Sequence, residues 1–485
     1  MKSIPFFASV LCGLLLTVSI IRAVEEREWT NSDGKTIRSK FVSANAQTVT
    51  LSMMGKVYVL EINSLNAQSQ ALVKELAKTR PTSSYHKARP LSKIQQKELE
   101  QALSESFSVI RQENYDFAGL SQFDALLPGN EEIFRSLAWN AYRKGGALDE
   151  MQTDHKAGKV VSGEYVSPYV VRHVGKMPSG GWPLVIAMHG GGKAPKQVND
   201  SQWRIMQRYY KDHPEQGGYL YLALRASTDA WNGFYTGYVY PLIARLIRQM
   251  LVCEEVNPDK VFLIGYSHGG YGAFAIGPKM ADRFAAIHSS AAAPTDGQSS
   301  PKNLLNTPFT FMIGERDLAY GRLKRCLAFD QAVKDLRGDR KDAYPVRMYL
   351  KKGFGHTGLP DRDHLATMIP AVRTPIPDSI VWELTDSVVT RFAWLENPAP
   401  AKKHLVEATK KGHRFEIKLT GVESLNLYLD ERMIDYRKPV VVEVNGQAVL
   451  ERILTPSVSV LCQTLQERGD PSFAFTSKTS IPVEP

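Results

Sequence analysis

The four apolar residues Val261-Phe262-Leu263-Ile264 run directly into Gly265-Tyr266-Ser267-His268-Gly269-Gly270-Tyr271-Gly272. A β-rich run that meets G-x-S-x-G and continues through small residues predicts a strand, a sharp turn with the serine at its apex, and a helix behind it. An ordinary glycine turn would need neither the strand before it nor the helix after it. Gly265 and Gly269 leave room for the backbone to pass its neighbours closely. The helix starting near Gly269 aims its first N–H groups at the apex, where they favour developing negative charge. Ser267 is therefore a candidate nucleophile, and the chain around it must supply a sheet whose strand ends stay accessible.

The surrounding sequence has that rhythm. Residues 165–174, 184–188, 219–224, 261–264, 284–288, 309–313 and 346–350 are short and β-rich, whereas 202–210, 241–253, 271–280 and 321–336 have helical length and spacing. Strands alternating with helices predict a doubly wound, mostly parallel α/β sheet covered on both faces. In such a sheet the functional residues gather at the carboxyl ends of the strands.

Three further groups fall at those ends. His189-Gly190-Gly191-Gly192 follows one strand, and its glycines let the main chain approach a substrate oxygen. Acyl transfer needs two N–H donors on the tetrahedral oxyanion, here those of His268 and of Gly190 or Gly191. Asp317 lies just beyond the strand at 309–313, with Glu315 as the alternative acid, and His356 ends the Gly-rich loop after the next strand. In the order serine, acid, histidine, His356 would take the proton from Ser267, and Asp317 would orient the imidazole. His364, with Asp361 or Asp363, is the nearest competing pair. The ring of His268 matters less than its backbone. Trp231, in the aromatic and glycine-rich stretch 231–238, is a candidate substrate-binding wall or a loop-packing residue. This chemistry calls for no metal and no organic cofactor.

The ordered set of residues 189–192, Ser267, Asp317 and His356 resembles the α/β-hydrolase superfamily over residues 160–395. Val256-Asn257-Pro258-Asp259-Lys260 is similar to the segment before the serine strand in the polyhydroxybutyrate depolymerase and feruloyl/acetylxylan esterase branch. The resemblance implies carboxylic-ester hydrolysis through an acyl-enzyme, with small or polymeric esters, including acylated polysaccharide, as substrates. His268 after the serine, the absence of a clear disulfide pattern and two flanking modules depart from many of those esterases and leave the substrate open. A serine peptidase of the prolyl-oligopeptidase type shares the triad, but no segment of β-propeller size precedes the catalytic region. A binding protein with an inactive hydrolase domain is the third reading.

The flanks of the 485-residue chain are read separately. Lys2, an apolar run over 4–21 and Ala23 before Glu25-Glu26 have the layout of a secretory signal peptide over 1–23, with an uncleaved anchor as the alternative. Export would place the protein in the periplasm or outside the cell. The formal net charge of +10 is scattered over the chain, which admits contact with cell wall or polysaccharide but displays no nucleic-acid motif. Cys253, Cys326 and Cys462 form neither a disulfide framework nor a zinc pattern. Residues 24–79 hold four short strand candidates and a closing helix at 67–77. Their order resembles the actin-assembly-protein (Sla-type) homology domain, which implies an SH3-like β fold and a binding or spacing role. Residues 80–113 read as a linker and a helix running to about 112, opened by a capping box at Ser92 and Gln95. The hydrolase domain is expected over 114–398. A separate β-rich module of antiparallel strands is expected over 399–485, with Asn445-Gly446 as a hairpin turn.

Overall fold

The computed structural model describes residues 26–44, 48–53, 56–78, 90–108, 115–145, 148–295 and 297–482. The segment 1–23 and the expected end of the helix at 109–112 lie outside the described residues. The chain forms two units, one of the described residues up to 78 with Gln447–Arg452, the other of 90–446 and 453–482. No helix among the described residues is long and apolar enough to cross a membrane.

In the first unit, β1 (Glu26–Thr30), β2 (Thr36–Ala44), β3 (Thr48–Met53) and β4 (Lys56–Glu61) form an antiparallel sheet in chain order, followed by α1 (Ala67–Lys78). Trp29, Phe41, Val49, Leu51, Val73 and Leu76 fill its core. The Trp29 indole N–H donates to the Ser39 carbonyl at 3.0 Å, which satisfies the ring's one polar atom.

The second unit opens with α2 (Lys93–Ser108), α3 (Glu131–Arg143) and α4 (Asp149–Lys156). The capping box forms: the Gln95 N–H donates to the Ser92 hydroxyl at 3.2 Å, and the Ser92 N–H donates to the Gln95 side chain at 3.0 Å. Eight strands follow: β5 (Lys159–Ser162), β6 (Tyr165–Val174), β7 (Trp182–Met188), β8 (Tyr219–Leu224), β9 (Val256–Tyr266), β10 (Ala286–Ser290), β11 (Phe309–Gly314) and β12 (Val346–Lys351). They make one sheet in the order β5-β6-β8-β7-β9-β10-β11-β12. β6 runs antiparallel to both its neighbours, and every pair from β8 to β12 is parallel.

That order, with α5 (Lys196–Met206), α6 (Val239–Cys253), α7 (His268–Lys279) and α8 (Arg322–Arg337) between the strands, is the α/β-hydrolase fold. The central strands are buried on both faces, which is why they read as unbroken apolar runs. α5 begins six residues before the expected start at 202, straight after Pro195. Tyr209 and Tyr210 lie past its end and, with Trp203, pack onto the core beneath the sheet. β10 lies two residues later than expected.

The C-terminal region differs from the sequence reading in two respects. Past the short helix α9 (Leu365–Met368), strands begin at β13 (Ser379–Glu383), β14 (Arg391–Phe392) and β15 (Leu395–Glu396). They are followed by β16 (Leu405–Lys411), β17 (Arg414–Thr420), β18 (Ser424–Leu429) and β19 (Val440–Val444). β13 pairs with β16 and β15 with β18, so the expected boundary at 398 cuts through two sheets. β17 and β19 pair parallel, because the chain between them leaves to build β18 in the other sheet. After β20 (Gln447–Arg452), α10 (Val458–Arg468) and β21 (Ser477–Pro482) complete the chain. Leu99, Leu103 and Phe107 of α2 share one apolar core with Leu461, Cys462 and Leu465 of α10. Residues 399–485 are therefore no separate module.

Candidate active site

The turn after β9 is tight for steric reasons. A Cβ on Gly265 would lie 2.1 Å from the Gly269 carbonyl oxygen, and one on Gly269 would lie 2.2 Å from that of Met188. No side chain fits at either position. Between them Ser267 has φ 53° and ψ −112°, a strained conformation for a residue with a Cβ. The surroundings hold it there: its N–H donates to the Ser290 carbonyl at 2.9 Å, and its carbonyl accepts from the Tyr271 N–H at 2.9 Å.

The hydroxyl of Ser267 lies 3.0 Å from His356 Nε2, and His356 Nδ1 lies 2.8 Å from Asp317 Oδ2. Three candidates drawn from different strand ends thus form one hydrogen-bonded chain. Glu315 points elsewhere, its carboxylate accepting from the Gly353 N–H at 2.9 Å. His364 stacks on His288 with ring centroids 3.6 Å apart and bonds Thr310 at 2.9 Å. Asp361 accepts from the Tyr209 hydroxyl at 2.7 Å, and Asp363 pairs with Lys211.

Two groups that sequence reasoning did not single out hold the chain in place. Arg322 donates to Asp317 Oδ1 through Nε at 2.8 Å and Nη2 at 2.6 Å, leaving the other carboxylate oxygen for His356. Burial works against the Arg322 charge, but the bonds to Asp317 outweigh it and hold its pKa above the usual arginine value. The Tyr266 hydroxyl donates to the His356 carbonyl at 2.6 Å and fixes the loop that carries the imidazole. Arg322 is the first residue of α8, five positions after Asp317, and that spacing was the available signal for it.

The glycine loop after β7 lies against the serine. A Cβ on Gly190 would stand 3.6 Å from the Ser267 Cβ. Gly191 (φ +114°) and Gly192 (φ +77°) adopt conformations that favour glycine, and the Gly192 N–H donates to the Asn199 side chain at 2.8 Å. His189 braces this loop from below. Its Nε2 accepts from the Ala226 N–H at 3.1 Å, so Nδ1 carries the proton and donates to the Gly190 carbonyl at 2.6 Å. Burial lowers the His189 pKa to about 4, so the ring stays neutral in this role.

His268, only 1% exposed, packs its ring between Phe234 and Gly192, and burial lowers its pKa to about 3. No hydrogen bond joins that ring to Ser267 or His356 among the described residues. Trp231 lies at the surface above Tyr271, ring centroids 5.5 Å apart. Cys253, Cys326 and Cys462 are free thiols. Among the described residues no group of histidine, cysteine and acidic side chains is arranged to hold a metal.

Neither a protein-family model nor a curated protein matches the chain. Solved structures do. A thermostable esterase is 17% identical with a TM-score of 0.33, over 40% of this chain and 54% of that one. LpqC, a poly(3-hydroxybutyrate) depolymerase from Bordetella parapertussis, is 18% identical with a TM-score of 0.31, over 42% and 82%. A ferulic acid esterase is 16% identical with a TM-score of 0.30, over 42% and 97%. The chain spans about half the length of the thermostable esterase.

Proposed function

We propose that this protein is an exported serine hydrolase that cleaves carboxylic esters through an acyl-enzyme on Ser267, with acylated polysaccharide as the substrate class. The observation that carries this reading is the bonded chain from Ser267 through His356 to Asp317, set on a strained strand-to-helix turn.

In the mechanism, His356 Nε2 removes the Ser267 proton as the hydroxyl oxygen attacks the ester carbonyl. The carbonyl oxygen takes up negative charge, which the N–H groups of His268 and of Gly190 or Gly191 stabilise at the start of α7. His356 then gives the proton to the departing alkoxide, and the alcohol leaves. Water repeats the cycle: His356 takes its proton, the hydroxide attacks the acyl-enzyme, and the acid leaves as Ser267 regains its hydrogen. Asp317 keeps the imidazole in the tautomer that leaves Nε2 free to accept, and it stabilises the cation that forms. Every step is carried by side chains and backbone of this protein.

Residues 1–23 direct export in this account. The first unit, with its resemblance to the actin-assembly-protein homology domain, serves as a binding or spacing module. Turnover of short-chain esters and of a peptide amide tests the reaction, with Ser267→Ala as control. Ester cleavage that disappears in Ser267→Ala is the expected result. Faster amide than ester cleavage would instead favour the prolyl-oligopeptidase-type reading, and a folded protein without turnover would favour a binding role.

A further inference from the structure

We propose that Tyr320 and Trp231 form an aromatic platform beside the catalytic serine that takes a pyranose ring of the substrate. This inference rests on the ester-hydrolase reading and names the group that the site would recognise.

The two rings come from separate loops and meet at the surface. Trp231 follows β8 and is 38% exposed, while Tyr320 follows β11 and is 71% exposed. Their centroids are 5.5 Å apart with planes tilted by 43°, so the rings are in contact and open as a V. Each ring touches a residue that is itself bonded to the triad. Trp231 rests on Tyr271, whose N–H bonds the Ser267 carbonyl, and Tyr320 stands three residues after Asp317 over the Arg322 guanidinium at 5.3 Å.

Tyr320 also has φ 54°, which is uncommon for a residue with a side chain and costs energy that a glycine would not. A strained backbone that displays a large ring to solvent contributes little to the core. Strain of this kind concentrates where a side chain must be presented.

The surroundings select the occupant. An aliphatic chain would require a continuous apolar groove, but here the guanidinium of Arg322 lies under Tyr320 and that of Arg325 lies 5.9 Å from Tyr271. Arg316 and Asn232, in the same two loops, are exposed. A pyranose matches this pattern, since its C–H faces stack on aromatic rings while its hydroxyls point outward to polar side chains.

The test compares kcat/KM on an acetylated xylo-oligosaccharide with kcat/KM on ethyl acetate, which carries no ring. Tyr320→Gly suits the local φ and removes the ring, whereas Tyr320→Phe keeps it. The platform predicts that the oligosaccharide-to-ethyl-acetate ratio falls about tenfold in Tyr320→Gly and is retained in Tyr320→Phe. It also predicts that unacetylated xylohexaose quenches the tryptophan fluorescence of Ser267→Ala, and that Tyr320→Gly in that background weakens the binding. An unchanged ratio overturns the platform, as does a change seen only with methyl ferulate, which would assign the rings to an aryl acyl group. Failure of the wild-type protein to cleave even ethyl acetate would strike the hydrolase reading, and the xylohexaose binding would still decide the platform.

Discussion

Replacing Arg322 by leucine isolates the lock on Asp317, the proposed catalytic acid. Asp317 is 1% exposed and Arg322 6%, and two charge-assisted bonds join them at 2.8 and 2.6 Å. With charge centres about 4 Å apart and an effective dielectric of about 20, their attraction is about 4 kcal/mol. Arg322→Leu leaves the carboxylate buried with the imidazole as its remaining partner, and breaking such a pair from one side costs about 3–5 kcal/mol. Denaturant unfolding of the wild type, Arg322→Leu, Asp317→Asn and the double variant reads this cost. If the uncompensated carboxylate carries the loss, Asp317→Asn removes its charge, and the double variant recovers at least about 2 kcal/mol relative to the sum of the singles. The kcat/KM of Arg322→Leu on a short ester should also fall, by less than the roughly 10⁴-fold expected for losing the acid itself. An Arg322→Leu protein within about 1 kcal/mol of wild type, or strictly additive singles, would refute the lock.

Gly192→Ala should lower kcat/KM by about 10²–10³ with the far-ultraviolet circular dichroism unchanged, the size of losing one oxyanion donor. Its Cβ would lie 2.8 Å from the His268 ring at a φ of +77°, so the loop must move. Glu131 supplies a pH test of stability. Burial and the neighbouring Asp430 raise its pKa from 4.5 to about 7, although Thr476 and the Glu431 N–H bond it. A raised native pKa means the folded state holds the proton more tightly. The stabilisation is therefore full below pH 4.5 and is lost as the pH rises through about 7. The melting temperature of the wild type should fall between pH 5 and 8 more steeply than that of Glu131→Gln, and parallel slopes would contradict the assignment.

The site was legible where local sterics dictate sequence. Gly265 and Gly269 are required by backbone contacts near 2 Å, so the motif around Ser267 reports geometry directly. The strands of the parallel sheet were readable because burial on both faces leaves an unbroken apolar run. What was missed depends on partners distant in sequence. Asn199 tethers the glycine loop from α5, and Tyr266 holds the loop of His356 from 90 residues away. Leu103 and Leu461 belong to one core although nothing in either local pattern announces the other. The parallel pairing of β17 with β19 was likewise hidden, because short alternating strands carry no mark of direction. Pro195 was the available mark for the start of α5, six residues before the expected start, and the helix ends at Met206 rather than at 210.

Covalent labelling of the proposed nucleophile tests the central claim most directly. The folded wild-type protein, treated with a fluorophosphonate and measured by intact mass and peptide mapping, should gain a single phosphonyl group on Ser267, and Ser267→Ala should gain none. An unlabelled wild type, or a label on another residue, would contradict the account.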